Sequence, residues 1–143
     1  MTVLVDTGVL YAEYDRSATR HDAAADAMET VYDGELGQPF TSDYIYDEVV
    51  TLTQRRTGSF EVAKTLGERL RGVGSFPDVY SLLYVTPAVF GSAVETFEQF
   101  DDQGLSFTDA ATVALADRHD IDTILAFDDG FDGIADRTDP AML

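Results

Sequence analysis

Short apolar runs that end in an acid, set between helical stretches, constrain this chain more than any other feature. Val3-Leu4-Val5 stops at Asp6, and Thr123-Ile124-Leu125-Ala126-Phe127 stops at Asp128. Runs this short and this apolar read as strands buried on both faces, the habit of parallel sheets. Pro39-Phe40-Thr41 and Ser81 to Val85 are two further strand candidates. Helices are expected from about Gly8 to Tyr14, His21 to Tyr32, Ser42 or Asp43 to Thr57, Phe60 to Arg71, Pro87 to about Asp101, and Ser106 to near His119. Gly58 suits the left-handed position after a helix, and Thr86-Pro87 is a cap followed by a first-turn proline. Strands alternating with helices imply right-handed crossovers and a three-layer α/β/α domain around a mostly parallel central sheet. Ligands of such sheets bind outside the carboxyl ends of the strands, where Asp6 and Asp128 stand. The tail after Gly133 is too short to assign.

At 143 residues the chain is expected to form one domain, 1–143, that buries roughly two thirds of its extended surface. No stretch approaches the roughly 20 apolar residues that span a bilayer, and the N-terminus reaches Asp6 before a signal-like run could form. A cytoplasmic protein with no membrane partner is the expectation, and the lack of cysteine agrees with it while excluding thiolate metal sites. The net charge of −18 is destabilising in ordinary buffer. Asp outnumbers Glu 19 to 8 and Lys64 is the only lysine, a halophilic bias resembling proteins of salt-loaded archaeal cytosols. In molar salt the Debye length is roughly 3 Å, so this charge does not veto an RNA partner.

Four acids stand where carboxylates do not belong by default: Asp6, Glu48, Asp109 and Asp128. Each has a local explanation. Asp6 could cap the next helix, with Thr7 beside it as a hydroxyl able to orient a carboxylate. Glu48 shares the i, i+3, i+4, i+7 stripe with Ile45, Val49 and Leu52, and could be a boundary residue whose head reaches water. Asp109 fits a capping box with Ser106 at the head of a helix apolar nearly all round. Asp128, with Asp129 and Asp132 as rivals, could make an Asx turn. Their joint placement is the evidence, because four carboxylates converging on an apolar scaffold require cations between them. All-oxygen donors select Mg²⁺ or Mn²⁺ over zinc, and His21 and His119, which have no ligand spacing, read as helix-end residues.

The residues Val3-Leu4-Val5-Asp6-Thr7, Thr41-Ser42-Asp43-Tyr44 with Asp47-Glu48-Val49-Val50, Ser106-Phe107-Thr108-Asp109-Ala110 and Ile124-Leu125-Ala126-Phe127-Asp128 occur in order along nearly the whole chain. In this the sequence resembles PIN-domain ribonucleases, most closely the VapC-like toxins of toxin–antitoxin pairs. The resemblance implies a PIN-like fold and a metal-dependent endoribonuclease whose acidic site is Asp6, Glu48, Asp109 and Asp128. The first three would hold one Mg²⁺ or Mn²⁺ ion, and Asp128 would complete that site or anchor a second. The implied reaction is in-line hydrolysis of an RNA phosphodiester that leaves 5′-phosphate and 3′-hydroxyl ends. The implied partners are an RNA substrate, a small antitoxin and a second copy in a homodimer. Two departures stand out: Gly8 replaces a residue often polar in the family, and Ala126 replaces a frequent hydroxyl residue two places before the last acid.

Phosphate contacts are expected from Arg55 and Arg56, the former seven residues beyond Glu48 and so about 10 Å along the helix. Compensation of a helix C-terminus explains both equally well. Arg69 and Arg71 are weaker candidates, and Tyr44 and Tyr46 could stack bases or simply be buried. Two other classes compete with the nuclease. A catalytically inactive PIN-fold binding module would not need all four acids. A phosphoaspartyl phosphatase or receiver-type enzyme would want an acid at position 8, which is Gly8, or a late lysine, whereas the only one is Lys64.

Overall fold

The computed structural model describes all 143 residues. In chain order its elements are β1 (Thr2–Val5), α1 (Thr7–Tyr14), α2 (His21–Tyr32), β2 (Gln38–Ser42), α3 (Asp43–Thr57), α4 (Phe60–Arg71), β3 (Ser81–Leu83), α5 (Pro87–Gln99), α6 (Phe107–Arg118), β4 (Thr123–Leu125) and β5 (Arg137–Thr138). Two single-turn 3₁₀ segments, Asp129–Phe131 and Pro140–Met142, complete it. The strands form one sheet in the order β3-β2-β1-β4-β5, and every pairing is parallel.

The strand order decides where a ligand can enter. The chain steps from β1 to β2 to β3 in one direction, then returns across β1 to β4 and β5. With right-handed crossovers, α1 to α4 cover one face and α5 and α6 the other. The direction reverses between β1 and β4, so a crevice opens outside their carboxyl ends.

Burial agrees with the apolar runs that defined the strands. Val3, Leu4 and Val5 are wholly buried and join Val9, Leu10, Met28, Ile45, Val49, Leu66, Leu70 and Leu115 in the main core. A smaller cluster of Leu105, Val113, Ala116, Ile124, Ala126 and Phe131 seals α6 and the end of β4. The helix ends follow the expected chemistry. Ser42, Ser59, Thr86 and Ser106 each cap a helix through a side-chain oxygen, and Gly58 ends α3 at φ 69°. Gly37 permits β2 to start close against β1, since a Cβ there would collide with the Met1 carbonyl.

Three expectations are corrected. The strand expected over Ser81 to Val85 ends at Leu83, and the one over Thr123 to Phe127 ends at Leu125. The tail left unassigned contains β5, which pairs Arg137 with Ile124 and Thr138 with Leu125. Two residues carry no periodicity, so β5 exists because β4 offers it a free edge.

The charge is barely compensated within the fold. Against 27 acidic residues the only ion pairs are those of Arg69 with Glu13 and of Arg137 with Asp132 and Asp139. Screening should therefore stabilise the protein: its thermal midpoint should rise by several degrees between about 0.1 M and about 2 M KCl. Circular dichroism melts would check this, and an unchanged or falling midpoint would show that the surface acids do not repel one another appreciably.

Candidate active site

Asp6 closes β1. Its backbone N–H donates to the Leu125 carbonyl of β4 at 3.0 Å, which knits it into the sheet up to the turn into α1. It sits at the N-cap position of α1, yet its side chain caps nothing. The residue is only 7% exposed, and carboxylate Oδ1 is buried without any hydrogen-bond partner. A cap therefore does not account for this acid. Burial, then Asp109, then Glu48 and Asp128 raise its pKa from 3.8 to about 7, while the Thr7 amide pulls the other way without making a regular hydrogen bond to the side chain. Thr7 is buried too, and its hydroxyl also lacks a partner.

The other acids arrive from separate elements. Glu48 lies half-buried on α3, at the edge of a stripe in which Ile45, Val49 and Thr53 are fully buried and Leu52 is not. Asp109 belongs to the first turn of α6, where the expected capping box forms: its N–H donates to Ser106 Oγ at 3.0 Å, and its Oδ2 accepts from the Ser106 N–H at 3.2 Å. Burial raises its pKa despite these bonds, with Asp128 and Glu48 adding to the rise. Asp128 makes the expected Asx turn, its Oδ1 accepting from the Gly130 N–H at 2.8 Å, and is itself exposed. Asp109 and Asp128 thus each spend one oxygen locally and keep a second.

These four acids line a single crevice of about 360 Å³ together with Thr7, Gly8, Arg20, Ser106 and Phe127. A larger hollow of about 660 Å³ beside β3 contains a single acid, Asp78. The crevice is distinguished by its chemistry, with Phe127 its only hydrophobic wall. No three His, Asp or Glu side chains close around a common point as a preformed metal cage. Hard oxygen donors around an orphaned, buried carboxylate oxygen nevertheless fit a hard divalent cation.

The rivals fall outside. Asp129 opens the 3₁₀ turn and Asp132 is bound by Arg137 at 2.8 Å, and neither lines the crevice. Arg137 also donates to the Ala126 carbonyl at 2.9 Å, which braces the strand end before Asp128. The expected phosphate contacts Arg55 and Arg56 lie outside the lining as well; both are exposed in the last turn of α3, with Arg56 4.7 Å over the Tyr11 ring. Arg69 pairs with Glu13 and Arg71 donates to the Tyr46 hydroxyl. Tyr44 and Tyr46 pack against the core rather than the crevice. His21 opens α2 and its Nδ1 meets the Ala12 carbonyl at 2.8 Å, whereas His119 is the C-cap of α6. Arg20 is the lining residue that sequence reasoning missed, and nothing near it in the sequence marks it. Lys64 does not reach the crevice, and Gly8 offers no acid there, as a phosphoaspartyl enzyme would require.

Sheet and crevice define a class: a parallel α/β domain with an acidic site at its topological switch point. The chain belongs to the PIN-domain family, whose model matches residues 3–137. It is 27% identical over 126 residues to ribonuclease VapC26 of Mycobacterium tuberculosis, covering 88% of this chain and 86% of that protein. Among solved structures it is similar to VapC20 of Mycobacterium tuberculosis, a sarcin-ricin loop cleaving toxin, with a TM-score of 0.74 and 25% identity over 90% of this chain and 92% of that one. It also shares its fold with a toxin–antitoxin complex from Klebsiella pneumoniae, with a TM-score of 0.67 and 17% identity over 96% of this chain and 97% of that one.

Asp6 should write itself into the pH dependence of stability. Folded, it keeps its proton up to about pH 7, whereas unfolded it loses it near 3.8. The folded state then binds more protons in that window, so stability present at low pH declines as pH rises through it; the raised pKa of Asp109 acts in the same sense. Asp132 and Asp15, held low by Arg137 and Ser17, lose their stabilisation only below this window. In EDTA, urea unfolding should report a loss on the order of a few kcal/mol between about pH 4 and pH 7 for the wild type. Asp6→Asn has no charge to bury and should lose much less. Equal slopes for the two proteins would mean that water reaches the Asp6 carboxylate.

Proposed function

We propose that this protein is a metal-dependent endoribonuclease, the toxin of a toxin–antitoxin pair. The observation that carries the reading is the convergence of Asp6, Glu48, Asp109 and Asp128 on one crevice, around a buried Asp6 oxygen that no protein group satisfies. Likeness to VapC ribonucleases over most of the chain supports it.

Asp6, Glu48 and Asp109 would hold a Mg²⁺ or Mn²⁺ ion, with Asp128 completing the site or anchoring a second ion. When bound, such an ion supplies Lewis-acid stabilisation of the phosphate oxygens and activation of the attacking water. The chain supplies the rest. Asp6 is fixed by the sheet and gives the site a rigid floor. Asp109 is fixed by its capping box, and the N-terminal end of α6 favours its ionised form. Glu48 is half-buried with no hydrogen bond holding its carboxylate, whereas Asp128 is exposed but tied through Oδ1 to its Asx turn, which leaves its Oδ2 for the crevice. An untied Glu48 would let the set close on an ion without being caged beforehand, and a carboxylate at the crevice mouth would accept the proton of the attacking water. Phosphodiester hydrolysis on this plan needs no covalent protein nucleophile.

The reading includes a small antitoxin whose segment covers the crevice, within an assembly built on a homodimer; the shared fold with a toxin–antitoxin complex supports the antitoxin. No helix is long and apolar enough to cross a membrane.

Cleavage of end-labelled RNA, with Mn²⁺ or Mg²⁺ against EDTA, tests the reading. Cutting should need the ion, and Asp6→Asn should lose activity on the order of a hundredfold or more. Asp129→Asn, outside the crevice, should retain it. Cutting that survives EDTA or Asp6→Asn would sink the mechanism, and RNA binding without any cutting would favour the inactive binding module.

A further inference from the structure

The crevice contains one cation, and none of its acids holds it. Arg20 lines the crevice beside Asp6, Glu48, Asp109 and Asp128, is exposed, and forms no ion pair with them. Its guanidinium instead lies 4.8 Å over the ring of Phe127. A carboxylate is ordinarily the stronger partner for arginine, because it can take two charge-assisted hydrogen bonds, while stacking on an aromatic face at an exposed site is weaker. Stacking has a different consequence. It engages the flat face of the guanidinium and leaves the N–H donors at its edge open to another ligand.

Phe127 is a firm support for such a group. It is half-buried, packs against the main core, and lies between the wholly buried Ala126 and the Asx turn of Asp128. The guanidinium is therefore held near the last acid of the site by a side chain anchored at the end of β4.

RNA needs a cation here. It brings one negative charge per nucleotide to a chain of net charge −18, and neutralising its phosphates is the main source of affinity for a single strand. Ions held by the four carboxylates would act on the scissile phosphate. Four other arginines are engaged elsewhere, Arg56 with Tyr11, Arg69 with Glu13, Arg71 with Tyr46 and Arg137 with Asp132, while Arg16, Arg55 and Arg118 lie outside the crevice. Arg20 is the only Lys or Arg in the lining.

We propose that Arg20 binds a phosphate of the RNA strand next to the scissile one, and that Phe127 is the positioning residue that keeps its guanidinium away from the acids and open to that phosphate. The proposal rests on reading the crevice as a ribonuclease site; Arg55 and Arg56, expected from spacing to meet a flanking phosphate, lie outside its lining.

The test uses one labelled single-stranded RNA across a KCl series. It measures kcat and KM in the presence of Mn²⁺, and equilibrium binding by anisotropy on an Asp6→Asn background, where the strand persists. Arg20→Ala should raise KM and weaken binding on the order of tenfold or more, with kcat little changed. It should also flatten the slope of log affinity against log salt by about 0.7, the loss of one phosphate contact on a single strand. Arg20→Lys should restore the salt slope without full affinity, because a point charge lacks the fork. Phe127→Leu, with folding checked by its melt, should raise KM while Arg20 is still present. Arg16→Ala removes the same charge outside the crevice and should change neither quantity. If the protein cuts RNA and Arg20→Ala behaves like the wild type or like Arg16→Ala, the assignment is overturned while the nuclease reading stands. If RNA binds through Arg20 without being cut, the phosphate contact stands, its place beside a scissile phosphate is overturned, and the nuclease reading falls. If RNA is neither bound nor cut, both are overturned.

Discussion

The burial of one carboxylate organises this protein. Asp6 is woven into the sheet by its bond to Leu125, and its side chain is buried with an oxygen that nothing satisfies. An unpaired buried charge is among the costliest features a small domain can carry, and three further acids in the same crevice raise that cost. Nothing in the packing requires an acid there: α1 begins without using it as a cap. On the proposed reading, stability is given up here for the capacity to take a cation.

The remaining acids show how a fold can place charge cheaply. Asp109 and Asp128 each satisfy a backbone N–H, through a capping box and an Asx turn, and each keeps one oxygen for the crevice. The capping explanation and the functional one are compatible, because a carboxylate has more acceptor sites than a cap consumes. Glu48 has no such tie, in contrast to Asp6, whose backbone is bonded into the sheet. Behind Asp128, Arg137 bonds both the Ala126 carbonyl and Asp132, so β5 steadies the loop at a point where the backbone carries no side-chain hydroxyl of its own. With so few cations in the chain, each one's partner matters, and Arg56, Arg69, Arg71 and Arg137 are bound to structure rather than available to a polyanion.

Much of the fold was legible in local chemistry. The helix over Phe60 to Arg71, the Thr86-Pro87 start and the Gly58 stop follow from short-range rules of capping and backbone conformation, while the helix over His21 to Tyr32, which has no side-chain cap, follows from the periodicity of Ala24, Ala27, Met28 and Val31. The strand ends were less legible, because pairing rather than composition sets them, and β5 was invisible because two residues have no pattern. The four acids stood out because each broke a hydrophobic pattern. Arg20 broke none. It lies 14 residues beyond Asp6 and 107 before Phe127, and only the fold brings the three together.

The sequence by itself determined the element types, the parallel α/β class and the identity of the acids, since these depend on periodicity, caps and the cost of misplaced charge. The tertiary structure alone decided which acid lost its structural role, which arginine entered the crevice and where the switch point opened. Those outcomes depend on contacts between residues far apart in the chain, and on which polar atoms the packing leaves without a partner.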